Sequence, residues 1–317
     1  MIYELNTIQN MDYLDFLKSL DDNSIDSFIT SPPYWQLRDY GFKGQIGLEP
    51  KYQDYIQKLV DMMVEMKRSL KPEGTIWINL GDTYMGGLSG SGGDCGKHTN
   101  INPNIKGTKF DGVKKMGMQN KCLMLIPHRF AIRCVDELGL ILRNDIIWAK
   151  RNGMPESATD RFSKKHEFIF FFVKQEKYYF DLKSIKDKSN YDNTRAKKLK
   201  GSFQKNTNYC GRDLSGGLGD TDGFKNPGDV SDFWDINTKP NSAKHYAMFN
   251  SDLIDKPIVS GCPKGGIICD PFCGTGTTLF RAYELNRNFI GNDGKKDYVD
   301  DANKLWQEIK SQERMFK

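Results

Sequence analysis

The sequence predicts an α/β fold: a mostly parallel sheet covered by helices on both faces, interrupted by inserted segments. Three observations carry this. Apolar strand-like runs alternate with helix-like periodicity, two short turns each follow a strand-like run, and two long polar stretches break the pattern. The 317 residues suffice for one large core, and 1–317 reads as a single domain with insertions at 85–120 and 183–235.

In order, residues 2–9 and 25–30 read as strands with a helix over 12–20 between them. A helix over 51–70 follows. Tyr52, Tyr55, Ile56, Leu59, Val60, Met63, Met66 and Leu70 recur at three- and four-residue spacing, so one face is apolar. Pro72-Glu73-Gly74 is expected to stop this helix before the strand Thr75–Leu80. Pro127 opens a helix over 127–138 that Gly139 closes. Leu140–Ala149 and Glu167–Val173 read as strands, 252–261 as a helix and Gly265–Cys269 as a short buried strand. A helix over 277–286, a strand Asn288–Asn292 and a closing helix over 296–312 complete the series. The insertion at 85–120 is rich in Gly, Ser, Asn and Lys, and that at 183–235 carries a basic run. Long segments of this kind in compact proteins are functional or disordered.

Forty-six Lys and Arg against 41 acids give a net charge of +5 and a pI near 8.6, which permits a polyanionic partner without demanding one. The seven Cys form no C-x-x-C pair and only four His are present, so no metal site is expected, Cys95 with His98 being at most half of one. Scattered thiols fit a reducing compartment. Nothing at the N-terminus resembles a signal peptide and no apolar run approaches roughly 18 residues, so a soluble cytoplasmic protein is expected.

Asp270-Pro271-Phe272-Cys273-Gly274-Thr275-Gly276-Thr277 follows a strand and precedes a helix. Glycine lacks a Cβ, so a ligand can lie against the backbone there, facing unpaired helix N–H groups. Asp293 stands about twenty residues on, at the end of the next strand, where an acid can accept from ribose hydroxyls. The turn lacks the third glycine of the dinucleotide fingerprint and the lysine of a P-loop. A carboxylate at Asp270 repels a pyrophosphate and suits an ammonium group, which favours S-adenosylmethionine (SAM) over NAD. The plainer alternative is an ordinary strand-to-helix connection.

Ser31-Pro32-Pro33-Tyr34 also follows a strand. Its prolines lock φ and leave carbonyls that only accept. An exocyclic amine can give one hydrogen to the Pro32 carbonyl and one to the Ser31 hydroxyl, turning its lone pair outward. Tyr34 offers a stacking face worth about 1–3 kcal/mol per base, and base extrusion costs a few kcal/mol. Trp35 either joins the same wall, among the substrate-binding residues, or packs beneath it. The alternative is a rigid Pro-Pro turn with its aromatics in the core.

The two turns in this order resemble the β arrangement of the DNA amino-methyltransferases, the N4-cytosine and N6-adenine DNA methylases. Ser31–Tyr34 matches the catalytic [S/N/D]-P-P-[Y/F/W] element. Asp270, Phe272, Gly274 and Gly276 match D-P-F-x-G-x-G, and Phe289–Asp293 matches the segment bearing the ribose acid. The resemblance also covers Gly47–Pro50, Leu80–Tyr84, Ile147–Lys150, Met154–Ser157, Asp160-Arg161, His166-Glu167, Thr238–Pro240 and His245–Ala247, most of the chain outside the insertions. Asp12 lies where the family often has an acid near the adenine of SAM, with Met11 in place of the usual glycine. Gly294-Lys295-Lys296 stands where the family usually has Leu-Asn-Pro.

The resemblance implies a seven-stranded, Rossmann-like, circularly permuted methyltransferase sheet. It also implies SAM as cofactor, double-stranded DNA as partner, a flipped base, and a cognate restriction endonuclease as a further possible partner. Catalytic roles fall on Ser31, Pro32, Pro33 and Tyr34. The cofactor falls to Asp12, Asp270, Phe272, Cys273, Gly274, Thr275, Gly276, Thr277 and Asp293. A C5 mechanism would need Pro-Cys, and this chain has only the reverse, Cys262-Pro263. Serine at the first motif position favours cytosine N4 by association; adenine N6 stays open, as do RNA or protein-amide substrates and a silent DNA-binding module. Arg195, Lys197, Lys198 and Lys200, near Tyr191 and Phe203, are expected to contact DNA phosphates if that run is not simply a solvated surface. His166-Glu167 either positions substrate or is a polar pair at a strand edge, and Asp82 is expected to cap structure rather than touch ligand.

Overall fold

The computed structural model describes residues 4–85, 118–153, 156, 158–185, 230–238 and 251–315. The chain divides into two compact units, Met1–Phe180 with Asp232–Lys317, and Asp181–Ser231. In the second, the described residues include one helical turn, α4 (Leu182–Ile185).

The first unit is built on one sheet. Its strands are β1 (Thr7–Gln9), β2 (Ile25–Thr30), β3 (Leu70–Leu80), β4 (Ile141–Ala149), β5 (His166–Val173), β6 (Phe233–Asp235), β7 (Ile267–Asp270) and β8 (Asn288–Asn292). They lie in the order β1-β8-β7-β2-β3-β5-β4-β6. β5 runs antiparallel to β3 and β4, and the other pairings are parallel. Seven of the eight strands among the described residues match the expected sheet. The addition is β6, three residues that pair with β4 at the edge and bury Trp234.

Helices α1 (Tyr13–Ser19), α2 (Tyr52–Ser69) and α3 (Ile126–Asp136) cover one face. Phe16, Leu59, Met63 and Phe130 meet Phe28, Ile76, Ile78, Phe170 and Phe172 there in the largest apolar cluster. The apolar stripe of α2 read from the sequence is thus its core face. On the opposite face α5 (Ser251–Gly261) sets Leu253, Ile254 and Ile258 against Ile29, Trp77 and Phe171. Trp77 and Phe171 are cross-strand partners whose rings stack at 4.1 Å. Around β8, α6 (Thr277–Glu284) and α7 (Lys296–Met315) close a third cluster on Trp306.

One boundary differs from expectation. Pro72-Glu73-Gly74 does not stop α2, which already ends at Ser69, with Leu70 extended at φ −69° and ψ 134°. The three residues lie inside β3 as a bulge, between the pairs Ile25↔Leu70 and Ser27↔Thr75. Gly74 is needed there, because a Cβ would stand 2.9 Å from the Asp26 carbonyl.

The topology also fixes where a ligand can sit. From β2 the chain crosses through α2 to β3 on one side, and from β7 through α6 to β8 on the other. The crevice beyond the carboxyl ends of β2 and β7 is the switch point where open α/β sheets bind ligands.

Candidate active site

Both sequence-predicted turns open onto this crevice, since β2 ends at Thr30 and β7 at Asp270. Thr30 Oγ1 donates to Asp270 Oδ1 at 2.6 Å, joining residues 240 apart in sequence. The Phe272 amide donates to the same oxygen at 3.1 Å, and the Thr278 side chain also hydrogen-bonds the carboxylate. Asp270 is only 1% exposed, and burial pushes its carboxyl up from 3.8 to about 6.

In the cofactor turn, Gly274 and Gly276 have φ of 53° and 88°. A Cβ on Gly274 would meet no atom within 4 Å, whereas one on Gly276 would lie 2.6 Å from the Phe280 ring. The first glycine therefore borders open space and the second permits packing beneath. The Gly274 amide donates to Asp293 Oδ2 at 2.9 Å and the Lys295 amide to Asp293 Oδ1 at 2.8 Å, with burial raising the carboxyl's pKa. Cys273 turns its thiol into the third cluster, so only its backbone remains at the turn. Phe272, Thr275 and Thr277 are half-buried, and Tyr13 packs on Phe272 at 5.2 Å.

Asp12 is near this segment, but its Oδ1 caps α1, accepting from the amides of Leu14 at 2.8 Å and Asp15 at 3.3 Å. The flanking residues reach the cofactor segment instead. Asn10 Nδ2 donates to the Asp293 carbonyl at 2.8 Å, and the Met11 amide to Asn292 Oδ1 at 3.1 Å. Oδ1 of Asp12 thus serves as a local cap, a role that does not engage the other carboxylate oxygen.

The target turn is held from below. Tyr55 of α2 donates its hydroxyl to the Pro33 carbonyl at 2.8 Å, while among the described residues no donor reaches the Pro32 carbonyl. Of the two prolines, the free acceptor is the one assigned to the amine. Trp35 does not join the substrate wall, contrary to its expected substrate-binding role. It is 5% exposed, packs edge-on against Tyr52 and donates Nε1 to the Glu49 carbonyl at 2.8 Å, because an indole this size completes the α2 core. Gly47, at φ 94°, leaves room for the Tyr34 carbonyl.

The Tyr34 ring lies against Gly81, where a Cβ would be 2.5 Å from Cε2. Its hydroxyl donates to Glu167 Oε2 at 2.7 Å and accepts from Asn79 Nδ2 at 3.0 Å. Asn79 Nδ2 also lies 3.0 Å from Glu167 Oε2, and Lys150 pairs with Oε1. Burial, then the Glu167 charge, raises the Tyr34 pKa well above its ordinary value, so the phenol stays neutral. Asp82 caps the approach to α3, accepting from the amides of Thr83, Leu125 and Ile126, as expected of a structural acid. Arg195, Lys197, Lys198 and Lys200, with Tyr191 and Phe203, lie outside the described residues, as do most of 85–120 and 183–235.

Sequence reasoning missed Thr30, Asn79 and Thr278. Asn79 carried a signal, a lone amide in an otherwise apolar strand run; Thr30 and Thr278 look like ordinary β-branched positions.

Residues 25–304 match the N6/N4 DNA methylase family. The Type II methyltransferase M.Cfr9I of Citrobacter freundii is 34% identical over 94% of this chain and 87% of its own. The chain belongs to the N6/N4 DNA methylase family. The methylase is likewise 34% identical to the Type II methyltransferase M.SmaI of Serratia marcescens, over 91% of this chain and 86% of that one. Its fold matches the cytosine-N4-specific PvuII DNA methyltransferase with a TM-score of 0.60 at 17% identity, covering 95% of this chain and 89% of that one. It also matches a DNA modification methylase of Thermus thermophilus, solved with S-adenosyl-L-methionine, with a TM-score of 0.56 at 20% identity over 95% of each chain. Among the described residues no His, Cys, Asp and Glu group suits a metal, and no helix is long and apolar enough to cross a membrane.

Proposed function

We propose that this DNA methylase transfers a methyl group from SAM to the exocyclic N4 of a cytosine extruded from double-stranded DNA at a specific site. The observation that carries the reading is the 2.6 Å bond between Thr30 and Asp270, which sets an amine-accepting turn beside a turn open to a nucleotide-like ligand.

The residues fit SAM on their own chemistry. Gly274 faces open space, Asp293 retains lone pairs for ribose hydroxyls, and Asp270 is a carboxylate that gains from a cationic ammonium. When bound, SAM supplies a methyl group already activated by its sulfonium. The chain's own task is orientation: Ser31 and the Pro32 carbonyl receive the two amine hydrogens, the nitrogen lone pair turns toward the methyl, and the Tyr34 ring stacks on the base. No covalent bond between enzyme and base is needed.

Cytosine is favoured by Ser31, since family members with Asp at that position are usually adenine enzymes. The Type II names of the relatives support a restriction endonuclease as partner, and the basic residues of 183–235 support contacts with DNA phosphates. The test is nucleoside mass spectrometry of unmethylated genomic DNA incubated with the protein and SAM bearing a labelled methyl. Labelled N4-methylcytosine is expected. Labelled N6-methyladenine would correct the base, and no labelled nucleoside despite measured SAM binding would overturn the reading in favour of RNA, a protein amide or a silent DNA-binding module.

A further inference from the structure

Ser31 must accept a hydrogen from the amine if the turn is to hold it as proposed, yet a hydroxyl can equally donate. What lies behind Ser31 decides its direction. Ser31 Oγ is 3.5 Å from Tyr34 Oη and 3.4 Å from the Asn79 carbonyl, contacts longer than an ordinary O–H···O bond that still orient the hydroxyl. The carbonyl can only accept. Tyr34 Oη has one hydrogen, and a carboxylate paired with Lys150 stands 2.7 Å away to take it. Asn79 Nδ2 donates into the same phenol oxygen at 3.0 Å. With its hydrogen committed to Glu167, Tyr34 meets Ser31 as an acceptor. Both neighbours behind Ser31 then draw its hydrogen, and its lone pairs face the crevice.

We propose that Glu167 is a positioning residue that sets the polarity of the Ser31 hydroxyl through Tyr34, so that Ser31 accepts from the target amine rather than donating to it. The inference rests on the reading of Ser31–Tyr34 given above. Lys150 keeps the carboxylate in place, and Asn79 ties it to the end of β3. A glutamine at 167 keeps the shape but can turn N–H groups toward Tyr34 Oη. The phenol hydrogen would then go to Ser31 and occupy one of its lone pairs, leaving only the Asn79 carbonyl, at 3.4 Å, to draw the serine's own hydrogen away from the amine.

The experiment compares full-length wild type, E167Q, Y34F and the double variant, with labelled SAM and unmethylated genomic DNA. Equilibrium SAM binding serves as the check on folding. Expected are kcat losses on the order of 10- to 100-fold in each single variant, the scale of a hydrogen bond to a charged group, with SAM affinity unchanged. The double variant should be no slower than the slower single one, because both substitutions break the same chain. Wild-type kcat in E167Q, a double variant whose losses multiply, or a loss accounted for by weaker SAM binding would each overturn the proposal. If E167Q does not fold, Y34F decides alone: it keeps the ring and the Glu167–Lys150 pair, and an unchanged kcat refutes the relay. Absence of methyl transfer by the wild type would instead refute the underlying reading of the site.

Discussion

Thr30 Oγ1 donates to Asp270 Oδ1 at 2.6 Å, so the residue before the target turn is bonded to the residue that opens the cofactor turn. Both are buried at the carboxyl ends of neighbouring strands, and the bond fixes one turn's height relative to the other. Thr30→Val keeps the shape of the side chain and removes the donor. It should lower stability by roughly 1–3 kcal/mol, the range for a lost bond to a charged group. Turnover should fall as well, and in an Asp270→Asn background the same substitution should cost less because the charge is gone. Denaturant midpoints of the two singles and the double measure this; simple additivity would mean that the bond contributes little.

Asp270 itself illustrates a site held at the expense of stability. Burial raises its carboxyl from 3.8 to about 6, so it disfavours folding when ionised. The folded state holds the proton more tightly than the unfolded chain, and the resulting stabilisation is present below pH 3.8 and lost as pH rises through about 6. The gap corresponds to on the order of 3 kcal/mol. Asp270→Asn should therefore melt higher than wild type at neutral pH, with the difference shrinking as pH falls toward 4. The same variant should bind SAM more weakly, and wild-type affinity should decline as pH drops through about 6, where the carboxylate meant for the ammonium becomes protonated. Calorimetric titration across that range checks both directions.

The two glycines of the cofactor turn should separate folding from binding. Gly276→Ala drives a methyl to 2.6 Å from the Phe280 ring at a φ of 88°, so loss of fold stability is expected. Gly274→Ala meets nothing within 4 Å, and its main folding cost is the left-handed backbone, about 1–2 kcal/mol. The added methyl would nevertheless stand in the open space assigned to SAM. A folded Gly274→Ala protein with affinity at least tenfold lower is the expected result; unchanged affinity would remove this turn from the cofactor site.

Much of this was legible in the sequence because period and punctuation are local. The apolar stripe of α2, the exit of α3 at Gly139 and both strand-to-turn junctions follow from short-range pattern alone. The bulge at Pro72-Glu73-Gly74 was not, since whether such a triplet ends a helix or loops out of a strand depends on the partner strand at Ile25–Ser27. Trp35 was ambiguous for a similar reason: an aromatic after a Pro-Pro turn has no face until α2 supplies Tyr52. The network behind Ser31 joins residues from four segments, Tyr34, Asn79, Lys150 and Glu167, and only the antiparallel register of β3, β5 and β4 brings the last three together.

Gly81 gives the sharpest separation of chemistry from cofactor binding. It follows β3 directly, and a Cβ there would lie 2.5 Å from Tyr34 Cε2 and 2.8 Å from Cδ2. The ring is anchored at its far end by Glu167 and along the backbone by Gly47, so it can yield only by tilting toward the crevice or breaking the 2.7 Å bond. Either movement shifts the stacking face by about 1 Å, a displacement that can cost on the order of 100-fold in rate. Gly81→Ala should therefore cut single-turnover methyl transfer by that order while SAM affinity stays near wild type, because the cofactor turn follows β7 whereas Gly81 follows β3. Combining it with Tyr34→Ala should remove the clash, so that the Gly81 substitution adds no further penalty to the loss caused by Tyr34→Ala alone. If Gly81→Ala transfers methyl at the wild-type rate, the orientation of Tyr34 is not what positions the base.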